Sequence, residues 1–199
     1  MRKIFICGLP SSGRSTVAKA IVSNAVEYIY FEPNFWTKVA FRKQNNGEPL
    51  YQYQDAYDDY ILNRLKEDPD LYIKIVNDCV KIFADFQTFV IDGILSPRDF
   101  SNLFDYNKDT IIFLNRTDNN SEYKDAQSIA LSSIRDYCYW ATTMGLLDKT
   151  RWLEFNFSIN TTNKSPLIKK MGSHNTIVLA RNIDNVILFL IKYLSSDAI

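Results

Sequence analysis

The first two dozen residues restrict the fold of this chain more than any other segment does. Residues 3–7 form a short apolar run typical of a buried strand, and residues 14–24 have the spacing of a helix. The loop between them, which runs from Gly8 to Gly13, fits the pattern GxxxxGK[ST] except that Arg14 replaces the lysine. The segment therefore predicts a strand, a phosphate-binding loop and a helix in direct succession.

The residue types in this loop have a physical reason to bind phosphate. Glycines allow the positive φ angles that turn successive N–H groups toward one point, and the helix adds its dipole. The expected phosphate-binding residues are Gly8, Ser11, Ser12, Gly13, Arg14, Ser15 and Thr16. We expect Ser15 to ligate Mg²⁺ and Arg14 to reach the β and γ phosphates of ATP. Because a planar guanidinium is not equivalent to an ammonium, a loop that binds nucleotide without transferring phosphate stays open.

Short apolar strands alternate with helical patterns along the rest of the chain. Strands are predicted at residues 3–7, 26–31, 88–92, 110–114 and 176–180, and helices at 14–24, 51–66, 70–84, 122–144 and 186–194. This alternation predicts an α/β fold of three layers, with roughly five parallel strands and helices on both faces of the sheet. Residues 154–175 lack a clear period and are expected to be mobile. Asp184 is expected to cap the last helix.

The length of the chain indicates one folding unit. A chain of 199 residues is long enough to bury a substantial core, so we predict a single domain over residues 1–199. Within that domain, residues 33–87 are expected to form a helical insertion that binds the acceptor. Residues 115–175 are expected to form a lid-like region.

The charge and the cysteine content limit which binding partners and which cellular compartment we expect. The chain has 23 basic and 23 acidic side chains, so it lacks the basic field of a non-specific nucleic-acid binder, and DNA is disfavoured as a substrate. Cys7, Cys79 and Cys138 lack metal-binding spacing and are expected to be buried, reduced thiols. No stretch has the roughly 20 apolar residues of a membrane span. We therefore expect a cytoplasmic protein without a membrane partner, and a homodimer stays open.

The two ends of the chain resemble a known family. Residues 4–20 look like the opening of the P-loop kinases that act on nucleosides, nucleotides and other small metabolites, the group that includes deoxynucleoside and thymidylate kinases. Residues 177–194 are similar to the last strand and helix of nucleotide kinases. The resemblance implies the P-loop NTPase fold, with ATP and Mg²⁺ as cofactors and phosphoryl transfer as the reaction. The middle of the chain resembles no single subfamily.

The segment after the second predicted strand resembles the acceptor site of deoxynucleoside kinases. Glu32-Pro33 and the nearby Trp36 are similar to the Glu-Pro and Trp of those enzymes, in which the glutamate takes the proton of the acceptor hydroxyl. A carboxylate at Glu32 could act as the base or orient the hydroxyl, and Phe35, Trp36 or Tyr53 could stack on a nucleobase. The alternative is that Glu32 is a solvated strand end and the aromatic residues belong to the core.

The third predicted strand ends in a second candidate group. Asp92-Gly93 stands where the metal-binding aspartate of P-loop kinases ends a strand, so Asp92 is expected to hold Mg²⁺ directly or through water. The Pro97-Arg98 pair is similar to the arginine clamp of adenylate-type and adenylylsulfate kinases, which implies that Arg98 binds an acceptor phosphate. The spacing departs from both groups. A helix cap at Asp92 and a surface ion pair at Arg98 are the structural alternatives.

Lid residues and the overall reaction are less narrowly predicted. Arg116, Lys124 and Arg135 follow the fourth strand and are candidates for lid cations, although exposed helices carry such charges for solubility. The leading hypothesis is transfer of the γ-phosphoryl group of ATP to a nucleoside, nucleotide or related small molecule. Two alternatives stay open: a viral-type kinase that phosphorylates 5-hydroxymethyl pyrimidine in DNA, and a non-catalytic nucleotide-binding module.

Overall fold

The structure is a computed structural model that describes residues 1–33, 38, 54–93, 95–116, 126–147, 151–157, 167–171, 175–180 and 182–196. The strands in this part of the chain are β1 (Arg2–Gly8), β2 (Tyr28–Phe31), β3 (Thr88–Asp92), β4 (Thr110–Arg116), β5 (Trp152–Phe157), β6 (Leu167–Met171) and β7 (Asn175–Leu179). The helices are α1 (Arg14–Ser23), α2 (Gln54–Glu67), α3 (Leu71–Ile82), α4 (Pro97–Leu103), α5 (Ala126–Thr143) and α6 (Ile183–Ser196).

All of these strands belong to one sheet, in the order β2-β3-β1-β4-β5-β7-β6. Every neighbouring pair is parallel except β6 and β7, which are antiparallel. The chain leaves β1 toward β2 on one side of the sheet and leaves β4 toward β5 on the other. Where two adjacent strands lead into connections that run in opposite directions, a crevice opens at the carboxyl ends of the strands. A ligand is therefore expected at the carboxyl ends of β1 and β4.

Helices cover both faces of the sheet. On one face, α1 and α6 pack on Ile4 and Ile6 of β1, and on the other, α3, α4 and α5 pack on Phe5 and Cys7. Successive strand residues point to opposite faces, so the continuous apolar run of β1 fills both cores. The predicted three-layer α/β fold is confirmed, and the central position of β1 follows from its burial on both sides.

The number of strands differs from the prediction. The described sheet has seven strands, because β5 and β6 lie within or next to the segment predicted to lack strands at residues 154–175. The expectation of a segment without regular structure was therefore wrong there. The strand β5 was missed because a buried glutamate, Glu154, and an asparagine, Asn156, interrupt its apolar residues. The range predicted as lid-like, 115–175, contains α5 and these two strands.

The predicted helices are confirmed, with small shifts at their ends. Residues 33–87, predicted as a helical insertion, contain α2 and α3 between β2 and β3. The final helix begins at Ile183, and the side chain of Asn182 accepts a hydrogen bond from the N–H of Asn185 at 3.0 Å. The cap is therefore Asn182, and Asp184 lies in the first turn, where its charge favours the helix dipole.

Two further sequence expectations can be compared with the described part of the chain. Cys7, Cys79 and Cys138 are buried and free, as predicted. Within the described ranges, no helix combines the length and the apolar character required to cross a membrane.

Candidate functional site

The loop after β1 is a tight turn held by its own backbone. The N–H of Ser12 donates to the carbonyl of Leu9 at 3.1 Å, with Pro10 and Ser11 at the two central positions of the turn. Ser11 has a φ of 63°, which a non-glycine residue adopts at a cost. Gly13 has a φ of 86° and ends the loop directly before α1. The loop therefore has the positive φ angles predicted for a phosphate-binding turn.

The first turn of α1 leaves backbone donors without acceptors. The first hydrogen bond into this helix is from the N–H of Val17 to the carbonyl of Gly13, at 3.0 Å. Among the described residues, no acceptor faces the N–H groups of residues 13–16. A helix N-terminus with free donors attracts an anion. The N–H of Ser12, one of the predicted phosphate-binding residues, is not available to a ligand because it already donates to Leu9.

Close packing explains why the loop begins with glycine. A Cβ on Gly8 would stand 2.7 Å from the carbonyl oxygen of Leu114 and would collide with the side-chain oxygen of Ser12. Ser12 is buried, and its Oγ has no hydrogen-bond partner among the described residues. Buried hydroxyls are nearly always paired, so this atom is a candidate to contact a bound molecule.

Asp92 ends β3 beside this loop and is only 3% exposed. Its Oδ2 accepts a hydrogen bond of 2.8 Å from the hydroxyl of Tyr30 on β2. Ser15, the other predicted Mg²⁺ ligand, lies in the first turn of α1.

The titration of the buried groups around the loop reflects this arrangement. Burial raises the pKa of Tyr30 above its usual value, and the hydrogen bond to Asp92 raises it further, whereas the Ser15 hydroxyl lowers it. Burial likewise raises the pKa of the Cys7 thiol to about 12, and the guanidinium of Arg14 opposes this shift. The positive charge of Arg14 therefore acts on the Cys7 thiol near the carboxyl end of β1. No hydrogen bond or ion pair ties Arg14 to another described residue.

Glu32 follows β2 and lies half-exposed at the same edge of the sheet. Lys38 Nζ stands 3.4 Å from its Oε1, in an ion pair that is open to solvent. Pro33 approaches Gly93, the residue after Asp92, so the ends of β2 and β3 adjoin. The structure thus places Glu32 at the same end of the sheet as Asp92.

Arg98 is engaged on the surface. Its Nη2 lies 2.7 Å from Oδ1 of Asp70, the residue before α3, and both side chains are about half exposed. This contact is the surface ion pair that the sequence left as an alternative. To bind an acceptor phosphate, Arg98 would have to release Asp70, a step with a small cost because exposed ion pairs contribute little stability.

A cavity of about 220 Å³ opens at the carboxyl ends of β1 and β4, where the crevice is expected. Its polar lining includes Ser12, Arg116, Arg135 and Glu154. Arg116 donates to the carbonyl of Ser11 at 3.0 Å, and Arg135 donates to Glu154 at 2.6 Å. Two of the three predicted lid cations therefore line a cleft that contacts the loop.

Some predicted residues lie outside the described part of the chain. These are the candidate base-stacking residues Phe35, Trp36 and Tyr53 and the lid residue Lys124. Their predicted functions stay predictions.

Sequence reasoning missed two residues of the site. Tyr30 was assigned only to an aromatic strand, and it lies on the face of β2 that α1 covers. Glu154 was not assigned to a strand at all. No spacing in the sequence distinguished Tyr30 from a tyrosine that only packs.

Comparison with known proteins adds no family to this description. Neither a scan of the chain against protein-family models nor a search of curated proteins found a match.

Proposed function

We propose that the protein is a phosphotransferase that moves the γ-phosphoryl group of ATP to a nucleoside, a nucleotide or a related small molecule. The observation that carries the proposal is the meeting of two groups at the ends of neighbouring strands. The free N–H groups of residues 13–16 follow β1, and the buried carboxylate of Asp92 ends β3. One group attracts phosphate, and the other attracts the cation that accompanies it.

The residues present fit a magnesium–nucleotide complex. Mg²⁺ in such sites takes one or two protein oxygens and completes its shell with water and phosphate oxygens. Ser15 and Asp92 offer a hydroxyl and a carboxylate, and Oδ1 of Asp92 has no hydrogen-bond partner among the described residues. The ion would supply charge neutralisation between the phosphates. Around it, the loop would orient the phosphates, and Arg14 would contribute a positive charge.

The acceptor is proposed to enter from the β2/β3 side. Glu32 stands there at the end of β2, and its ion pair with Lys38 is exposed and weak. An acceptor hydroxyl that displaced Lys38 could donate its hydrogen to Glu32. This arrangement favours an acceptor whose hydroxyl approaches the carboxyl end of β2.

A second candidate is a nucleotide-binding module that transfers no phosphate. One observation favours it. Arg98 and Glu32, the two charged groups proposed to contact the acceptor, are both already in ion pairs. Together with arginine in place of lysine at position 14, this arrangement suits a protein that binds ATP and stops there.

Labelled transfer from ATP tests these candidates. The full chain is incubated with Mg²⁺, ATP labelled on the γ-phosphate, and separate panels of nucleosides, nucleotides, other small metabolites and hydroxymethylated DNA. Label on a free acceptor supports the proposal, and label on the polymer alone supports the DNA kinase. ATP binding without labelled product would support the module, and absence of ATP binding would contradict all three functions.

A further inference from the structure

Tyr30 occupies a position that the proposed reaction does not yet explain. Its hydroxyl donates a hydrogen bond of 2.8 Å to Oδ2 of Asp92. The ammonium of Lys19, one turn further along α1, stands 5.8 Å from the centre of its ring. Ring and hydroxyl are thus held from both sides.

The strand register explains why this tyrosine reaches the carboxylate of Asp92. Tyr30 pairs with Val90 on β3, so Asp92 is two residues farther along the same strand. Residues two apart on a strand share a face, which puts Asp92 on the face that α1 covers. Tyr30 lies on the same face, where its ring packs with the α1 core. The long tyrosine side chain spans the remaining distance to the carboxylate.

The chemistry of the two groups fits a particular use. The phenol hydrogen goes to Oδ2 of Asp92, which leaves Oδ1 to face a cation. The hydroxyl of Tyr30 therefore orients the carboxylate, as outer-shell partners of metal ligands do.

We propose that Tyr30 is a positioning residue that orients the carboxylate of Asp92 to receive a divalent cation together with the nucleotide. The inference rests on the proposed function, since it assumes that a metal-bound nucleotide occupies this edge. It assigns the tyrosine a task that neither strand formation nor core packing requires, because the ring would pack equally well without the hydroxyl.

The test is the affinity of the protein for Mn²⁺ in the presence of ADP, measured from the electron paramagnetic resonance of free Mn²⁺. Tyr30→Phe keeps the ring and removes the hydrogen bond to Asp92. We expect its dissociation constant for Mn²⁺ to rise by about tenfold to a hundredfold, as loss of an outer-shell partner commonly causes. ADP affinity in EDTA should not change, because the loop donors are untouched.

Tyr28→Phe is the matched control. Tyr28 lies on the same strand and face, and no hydrogen bond of its hydroxyl is made with a described residue. Its variant should bind Mn²⁺ like the wild type. A second control is Tyr30→Phe combined with Asp92→Asn, which should bind Mn²⁺ no more weakly than Asp92→Asn alone, because Tyr30 acts through the carboxylate.

The outcomes separate this inference from the proposed function. If wild type binds Mn²⁺·ADP and Tyr30→Phe binds it equally or more tightly, the positioning task is overturned while the proposed function stands. If wild type binds ADP but no Mn²⁺, both are overturned. A loss of ADP affinity in EDTA that matches the loss of Mn²⁺ affinity would mean a structural task, and would also overturn the inference.

Discussion

The proposed metal chemistry depends on Asp92. Replacing it with asparagine keeps the shape and removes the charge, so we expect Mg²⁺-dependent transfer to fall far more than ATP affinity does. Turnover and ATP dissociation constants, measured on the same preparations, check this expectation. Asp85→Asn, which makes the same change at an exposed site, is the control and should keep full activity. Equal losses of turnover and affinity for Asp92→Asn would point to a structural task.

Arg14 carries the departure from the phosphate-loop pattern. If its guanidinium contacts the transferring group, Arg14→Ala should lower the transfer rate by a factor on the order of 100, as loss of one preorganised charge contact does. Nucleotide affinity should fall less. Arg14→Lys restores the residue that the pattern normally carries, so activity should be kept or raised. Single-turnover rates with labelled ATP provide the measurement, and an unchanged rate for Arg14→Ala would make the arginine a spectator.

These residues also show how far the sequence reaches into the site. Asp92 and Ser15 could be placed because each follows a strand or begins a helix at a recognisable spacing. Tyr30 could not, because a tyrosine in a strand reads as packing. Its hydrogen bond to Asp92 depends on the pairing of β2 with β3. Arg98 was ambiguous for a similar reason, since only the position of α3 brings Asp70 to it.

The contact between α1 and α6 explains the glycine at position 13. A Cβ there would collide with Cδ1 of Ile183, the first residue of α6, and the φ of 86° is itself unfavourable for any L side chain. We expect Gly13→Ala to lower the free energy of unfolding by about 1 to 3 kcal/mol, from the backbone strain plus the smaller cost of moving the end of the Ile183 side chain. Urea unfolding gives this value directly.

Gly145 after α5 provides the matched comparison. Its φ is 70°, and a Cβ there would meet no atom within 4 Å. Gly145→Ala should therefore lower the free energy of unfolding only through the unfavourable backbone conformation, by about 1 to 2 kcal/mol. If the two variants were equally destabilised, the packing of α6 on the loop would contribute nothing, and the glycine at position 13 would be required by conformation alone.

Two buried thiols in the core should make the free energy of unfolding fall as the pH becomes alkaline. Burial raises the pKa of Cys7 from 9.0 to about 12, and burial also raises the pKa of Cys138. The folded state holds these protons where the unfolded chain releases them. The stabilisation is therefore fully present below about pH 9, and it is lost as the pH rises toward the folded pKa values, at up to about 1.4 kcal/mol per pH unit for each thiol.

Urea midpoints measured between pH 7 and pH 11 test this dependence. Cys7→Ala and Cys138→Ala will each be less stable at pH 7, because a buried side chain is shortened. Their curves should nevertheless fall less steeply above pH 9 than the wild-type curve does. Curves that run parallel to the wild type would show that these thiols are not the cause of alkaline unfolding.

The sequence alone determined the strand, loop and helix at the start of the chain and the α/β class. Both rest on local patterns: the glycine spacing, the helix start and the apolar runs of strands buried on both faces. Tertiary structure decided which strands neighbour one another, because pairing depends on contacts between residues far apart in the chain. Only the tertiary structure shows the strands β5 and β6, the hydrogen bond between Tyr30 and Asp92, and the ion pair between Arg98 and Asp70. Side-chain partnerships across strands and helices have no periodic signature in the sequence, so only the fold could reveal them.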